Sequence, residues 1–142
     1  MLLTLLGTAL ALPAPHQLEL VDGRSLDRSR TSYWYVAEGA DDSPGRIRRA
    51  PVFVSHYDGG TLRYRERLTV EVNCRKRSVQ PLQVETFDAV GTRVRDRALA
   101  GTPEGAAFTY QGKVGIGAAA EYICGRGTDW GIGGFGVTPL EL

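Results

Sequence analysis

"VEVNCRKRS", residues 70–78, is the stretch on which the fold turns. Val70, Val72 and Cys74 fall on one parity of an extended chain, and Glu71, Asn73 and Arg75 on the other. That is the period-two pattern of a strand with one buried face. The alternation runs back through Leu68, with Arg67 and Thr69 on the outer parity, so the main strand is placed at roughly residues 67–76 with Cys74 pointing inward. From Leu62 to Ser78 an unbroken strand would exceed about 50 Å at about 3.3 Å per residue. A break or bulge is therefore expected near Arg65.

What an inward thiol does depends on its compartment. Residues 1–11 are an apolar run ending in Ala9-Leu10-Ala11, the small-residue pattern of a secretory cleavage site. Pro13 and Pro15 end the run well short of the roughly 20 apolar residues a spanning helix needs, so no transmembrane span is expected. Residues 1–14 are read as a signal peptide. No Lys or Arg precedes Arg24, a gap that a misassigned start codon explains; a buried N-terminal element of a cytosolic protein is the alternative. No cysteine follows the run, so no lipid anchor is expected, and the mature chain is placed in the periplasm or outside the cell.

In an oxidising compartment Cys74 and Cys124, the only cysteines, are expected to form a disulfide. Closing a loop that long contributes about 4 kcal/mol on the chain-entropy model. Nucleophile and metal roles fit less well. Apart from His16, His56 is the only histidine to serve as a base, and a zinc site needs about four ligands. No metal and no cofactor is expected.

Residues 15–31 read as an extended polar lead-in. Strands follow at 32–39 and 47–57, with Pro51 placing the second at an edge or beginning it at a bulge. "DGG" at 58–60 is a hairpin turn, and residues 82–99 form a further hairpin in which Asp88-Ala89-Val90-Gly91 makes a type I turn closed by Gly91. A short strand is expected at 107–111. About six strands joined by short turns make an antiparallel meander the economical topology. One helix is expected, "VGIGAAAEYIC" at 114–124, with Ile116, Ala119, Ala120, Ile123 and Cys124 on one face and Gly125 as its left-handed cap. The fold class is thus α+β: an antiparallel meander with one C-terminal helix packed across it and tied by the disulfide. Residues 126–142 are a Gly-rich tail carrying Trp130, Ile132 and Phe135, read either as an extra strand over an apolar groove or as a mobile segment.

The net charge of +1 conceals a division, because residues 24–97 carry 15 Arg or Lys against 10 acids. Arg63, Arg65, Arg67, Arg75 and Arg77 share strand parity, and with Lys76 they form the candidate partner-binding set. Such a stripe would bind acidic glycans, lipid headgroups or an acidic protein patch; the alternative is a solvated strand face balanced by Glu66 and Glu71. His56 and Asp58 read as a strand end running into a turn. "GIGGFG" at 131–136 lacks the Lys-Ser or Lys-Thr and the helix of a phosphate loop. Glu104 and Glu121 show no paired arrangement for hydrolysis, so no catalytic residues are assigned.

An aromatic first strand, "VEVNCRKRSVQPLQVETFDAVGTRV" (70–94) and "FTYQGKVGIGAAAEYICG" (108–125) together resemble the bacterial surface-adhesin protein E family over residues 32–125. The resemblance implies a small exported domain in which an antiparallel sheet carries a disulfide-tethered C-terminal helix, acting in adhesion. The chain departs from that family at Phe108, where a tryptophan is common, at Gln111-Gly112-Lys113 in place of a Pro-Gly-Ser-like turn, and in lacking a lipobox cysteine. The expected function is non-catalytic, adhesin-like binding of a host matrix protein, a glycosaminoglycan or an envelope protein through the basic face. The alternative is a periplasmic structural or stress-related protein that uses a sheet edge or the tail to hold a partner or a second copy as a homodimer. Nucleic acid is not an expected partner of an exported chain.

Overall fold

The computed structural model describes residues 18–25, 29–42, 44–110 and 114–126. The sheet is built outward from β4 (Thr61–Asn73). On one side it pairs with β3 (Ile47–Asp58), then β2 (Arg30–Ala37), then β1 (Leu18–Ser25). On the other lie β5 (Ser78–Asp88) and β6 (Arg93–Ala98), with the two-residue β7 (Phe108–Thr109) pairing the start of β5. Every pairing is antiparallel, the order follows the sequence, and the sheet curls into a half-barrel. The expected meander with one C-terminal helix is therefore the observed fold. One strand joins it that the sequence reading did not assign, since residues 18–25 of the lead-in form β1.

The turns follow from their residues. Asp58 and Thr61 pair across Gly59 and Gly60, whose φ values of 60° and 82° are what a two-residue type I′ loop demands. In the next hairpin Gly91 N–H donates to the Asp88 carbonyl at 3.0 Å with φ 93°, and the Asp88 carboxylate accepts from the Val90 and Thr92 amides. That is the expected type I turn closed by a left-handed glycine.

Of the break or bulge expected near Arg65, β4 shows a bulge and otherwise stays continuous. It absorbs its length by bulging at Arg63, which is skipped between the pairs His56–Tyr64 and Tyr57–Leu62. At its other end β4 stops at Asn73, short of the expected residue 76, so Cys74 lies just beyond the strand. It is still buried and still donates its N–H to the Arg46 carbonyl at 2.8 Å. Pro51 sits in β3, an interior strand, but immediately past Val52, the last residue of β3 paired to β2, so the strand is locally an edge there. Pro81 similarly occupies the gap between β7 and β6 along β5.

α1 (Ile116–Ile123) packs on the face formed by Val36, Ala50, Val52, Val70 and Val72. Gly117, Ala118, Ala119 and Ala120 are all buried, and side chains this small bring the helix backbone close to the sheet. Gly115, at φ 55°, starts the helix and donates its N–H to the Asp22 carboxylate of β1. The other end is a Schellman turn: Gly125 (φ 79°) donates to the Tyr122 carbonyl and Arg126 to that of Glu121. Arg48 reaches in to donate to the Ile123 carbonyl at 2.7 Å, a cation at the negative end of the helix dipole. The opposite sheet face has its own cluster of Leu18, Leu20, Tyr35 and Phe53.

Candidate functional site

Cys74 and Cys124 are joined, their Cα atoms 5.6 Å apart, so the inward thiol is a staple between the end of β4 and the end of α1. A second lock lies beside it. The Tyr110 hydroxyl donates to Glu121 at 2.6 Å, Arg126 donates to the same carboxylate at 2.8 Å, and Arg126 also donates to the Cys74 carbonyl at 2.6 Å. Burial pushes the Tyr110 phenol up to about 12, with the hydrogen bond to Glu121 adding to the shift. Burial also raises the Glu121 carboxyl, but the donors Tyr110 and Arg126 and the Arg126 charge outweigh it, and the net shift is downward. Glu121 is thus a structural anion.

The six basic residues of the candidate set do not form one face. Arg65 is buried, 5% exposed. Arg67 is bound at 2.6 Å to Glu85, a buried carboxylate of β5 that also holds Arg93 at 3.0 Å. Neither arginine therefore belongs to an open basic stripe: the β4–β5 register sets Glu85 directly opposite Arg67, and Arg65, opposite Phe87, is buried. Arg63 lies at the bulge near the start of β4, while Arg75, Lys76 and Arg77 lie in the turn after it. The two sets are more than about 30 Å apart along the strand at about 3.3 Å per residue. Glu66 and Glu71, expected to balance the stripe, instead pair with His56 at 2.8 Å and Arg49 at 3.0 Å. Glu104 pairs with Arg97 at 3.6 Å.

What the fold does assemble is a basic tip. Arg46, Arg75 and Lys76 line a concavity of about 760 Å³ with Ile47 and Asn73, and Ile47 is 52% exposed. The backbone under these cations is fixed. The Asn73 carboxamide accepts from the Arg75 and Lys76 amides at 3.2 and 3.0 Å, Arg77 turns the chain at φ 52°, and Cys74 is pinned by the disulfide and by Arg46. Arg46 and Ile47 escaped the sequence reading because they belong to the preceding hairpin; only the β3–β4 register, which ends on the pair Ile47–Asn73, brings them to the tip.

His56 and Asp58 part company. Asp58 is exposed at the hairpin end, whereas His56 is held from both sides, its Nδ1 2.9 Å from Ser32 Oγ and its Nε2 2.8 Å from Glu66 Oε1, with Tyr64 stacked on it at 4.3 Å. Burial raises the Tyr64 phenol above its ordinary value, and the Glu66 charge adds to that shift. Among the described residues no group of His, Cys, Asp and Glu is arranged to hold a metal, and no helix is long and apolar enough to cross a membrane. The expected signal peptide at 1–14, most of the tail and "GIGGFG" lie outside the described residues. Comparison with protein-family models, with curated proteins and with solved structures found no match for this chain.

Proposed function

We propose that the chain is an exported binding domain of the surface-adhesin protein E kind, and that it engages an acidic host or envelope component, a glycosaminoglycan or an acidic segment of a matrix protein, through the basic tip. The observation that carries this reading is the convergence of Arg46, Arg75 and Lys76 with the exposed Ile47, with no acidic residue among those lining the concavity. Two guanidinium groups and one ammonium on a fixed backbone can take sulfate or carboxylate oxygens without ordering a loop first. The apolar Ile47 adds contact area. The disulfide and the Tyr110–Glu121–Arg126 lock support the reading by holding that backbone from behind. The ion pair of Arg67 with Glu85 and the hydrogen bond between His56 and Glu66 support binding over catalysis, since those groups are committed to each other.

Retention on immobilised heparin, and separately on immobilised matrix protein, tests the reading. The disulfide-bonded protein should elute at a salt concentration that falls sharply for the Arg75→Glu, Lys76→Glu double reversal. Reversal of Arg95, an exposed cation on the distant β6, should leave elution unchanged. Equal loss from both substitutions, or from neither, would remove the tip from consideration.

A further inference from the structure

The tip leaves Arg63 unaccounted for, at the far end of β4. There, a separate concavity of about 430 Å³ is lined by Arg30, Ser32, His56, Tyr57, Arg63 and Tyr64. Small-molecule sites span about 300–1,000 Å³. Of the lining residues, Ser32 and His56 are hydrogen-bonded to each other, and His56 in turn to Glu66: His56 Nε2 is within reach of the Glu66 carboxylate, and Nδ1 of the Ser32 hydroxyl. Whichever way that second bond points, the Ser32 oxygen has two lone pairs and keeps at least one for a ligand hydroxyl.

Tyr64 stacks one ring face on His56 with the planes 24° apart, yet the residue is 40% exposed, which leaves its other face to the solvent side. Thr31 and Asp58 complete the rim, and Asp58 stands opposite Arg30 in the β2–β3 register. Arg63 is exposed and makes no hydrogen bond or ion pair among the described residues. One unmatched guanidinium, one open aromatic face and a hydroxyl acceptor are the elements that recognise a polyol bearing a single carboxylate.

The same chain of Ser32, His56 and Glu66 carries the residue types of an acyl-transfer site, but its setting is wrong for one. Ser32 lies inside the paired ladder, between Arg24 of β1 and His56 of β3, so the neighbouring amides are committed to the sheet and not gathered around a developing oxyanion. We infer that this concavity is a recognition site for an acidic sugar, with its carboxylate on Arg63, its C–H face on Tyr64 and its hydroxyls on the Ser32–His56 pair. It is independent of the basic tip.

Titration of the isotopically labelled, disulfide-bonded protein with sodium glucuronate, followed by amide chemical shifts, tests this. Shifts should concentrate at Ser32, His56, Arg63 and Tyr64. Glucose, which lacks the carboxylate, and acetate, which lacks the ring, should each bind at least tenfold more weakly. Arg63→Gln should weaken glucuronate binding at least tenfold with an unchanged thermal midpoint, and Tyr64→Ala should bring glucuronate down to the level of acetate. Methyl β-glucuronide reports the source: equal affinity assigns the end of a glycan, and preference for the free acid assigns a monosaccharide. Acetate binding as well as glucuronate, shifts spread over the sheet, or an unaffected Arg63→Gln protein would overturn the inference. The Arg75→Glu, Lys76→Glu protein should titrate like the parent, so failure of the tip and failure of this concavity read out separately.

Discussion

Cations gather at both ends of β4, yet the two ends are held in different ways. At the Asn73 end, a covalent link, a buried carboxylate with two donors and an arginine on a helix terminus all converge behind the exposed loop. At the Thr61 end, Arg63 stands on a bulge beside a glycine hairpin and Arg30 begins β2, and the fixed group is a partly exposed histidine held by one serine and one glutamate. A large, flexible polyanion meets many cations at once and gains from a loop whose backbone is already ordered. A small ligand needs only a few side chains set by a sheet. The contrast therefore predicts where stability is concentrated as well as where ligands bind.

Removing the cross-link should produce the largest effect. Replacing Cys74 and Cys124 by Ser should lower the unfolding free energy by about 4 kcal/mol, the loop-closure term for their separation of 50 residues, read from the denaturant midpoint at constant slope. Amide exchange should accelerate first in the 73–78 loop and in α1, while β2 and the β3–β4 hairpin keep their protection until global unfolding. Uniform acceleration at both ends would erase the distinction drawn between them.

How much of this contrast was visible in the sequence differs residue by residue. The alternation of Val70, Val72 and Cys74, the turn at Asp88–Gly91 and the cap at Gly125 are local signals, and the structure follows each one. β1 was not legible because Asp22 and Gly23 interrupt its apolar pattern; it is a strand because the edge of β2 pairs with it and because Gly115, 93 residues away, bonds to Asp22. The arginine stripe failed for a related reason. Parity along one strand says which side a residue faces, but what stands opposite it is set by the next strand, and the β4–β5 register puts Glu85 against Arg67 and Phe87 against the buried Arg65. For the Ser32–His56–Glu66 chain a signal existed, since counting the register of the β2–β3 hairpin pairs Ser32 with His56. The sequence reading weighed His56 as a base or metal ligand for Cys74 and beside Asp58, but not across the hairpin.

The middle-sized effect tests the second lock. Glu121→Gln keeps the shape but discharges a carboxylate that is 3% exposed and receives hydrogen bonds from Tyr110 and Arg126. Charge-assisted hydrogen bonds of this kind are worth about 1.5–3 kcal/mol, so a loss of about 2 kcal/mol at neutral pH is expected. The pH dependence gives the sign. The folded-state carboxyl sits below its unfolded value, so its contribution is complete above that unfolded value and fades as acid carries the pH down through the folded one. Tyr110 runs the other way: its phenol is raised to about 12, so its contribution holds below the ordinary phenol value and fades as the pH climbs from there toward about 12. Stability of the Glu121→Gln protein measured against pH should lose the acid limb due to this group, and an identical acid limb in both proteins would deny the lock its charge.

The same substitution at the other end should cost least. Glu66 is 28% exposed in its side chain and meets a single histidine, itself 20% exposed, so water already competes for the pair. Exposed or half-exposed ion pairs are typically worth about 0.2–1 kcal/mol, and Glu66→Gln retains an amide oxygen able to accept the His56 Nε2–H bond. Its unfolding midpoint should therefore move by less than half of the Glu121→Gln shift. The rotamer of His56 should persist, seen as unchanged ring-current shifts from the Tyr64 stack. A larger loss for Glu66→Gln than for Glu121→Gln would mean that the Thr61 end is the more tightly locked of the two, and that the ordering of the sheet's ends is the reverse of the one argued from burial and donor count.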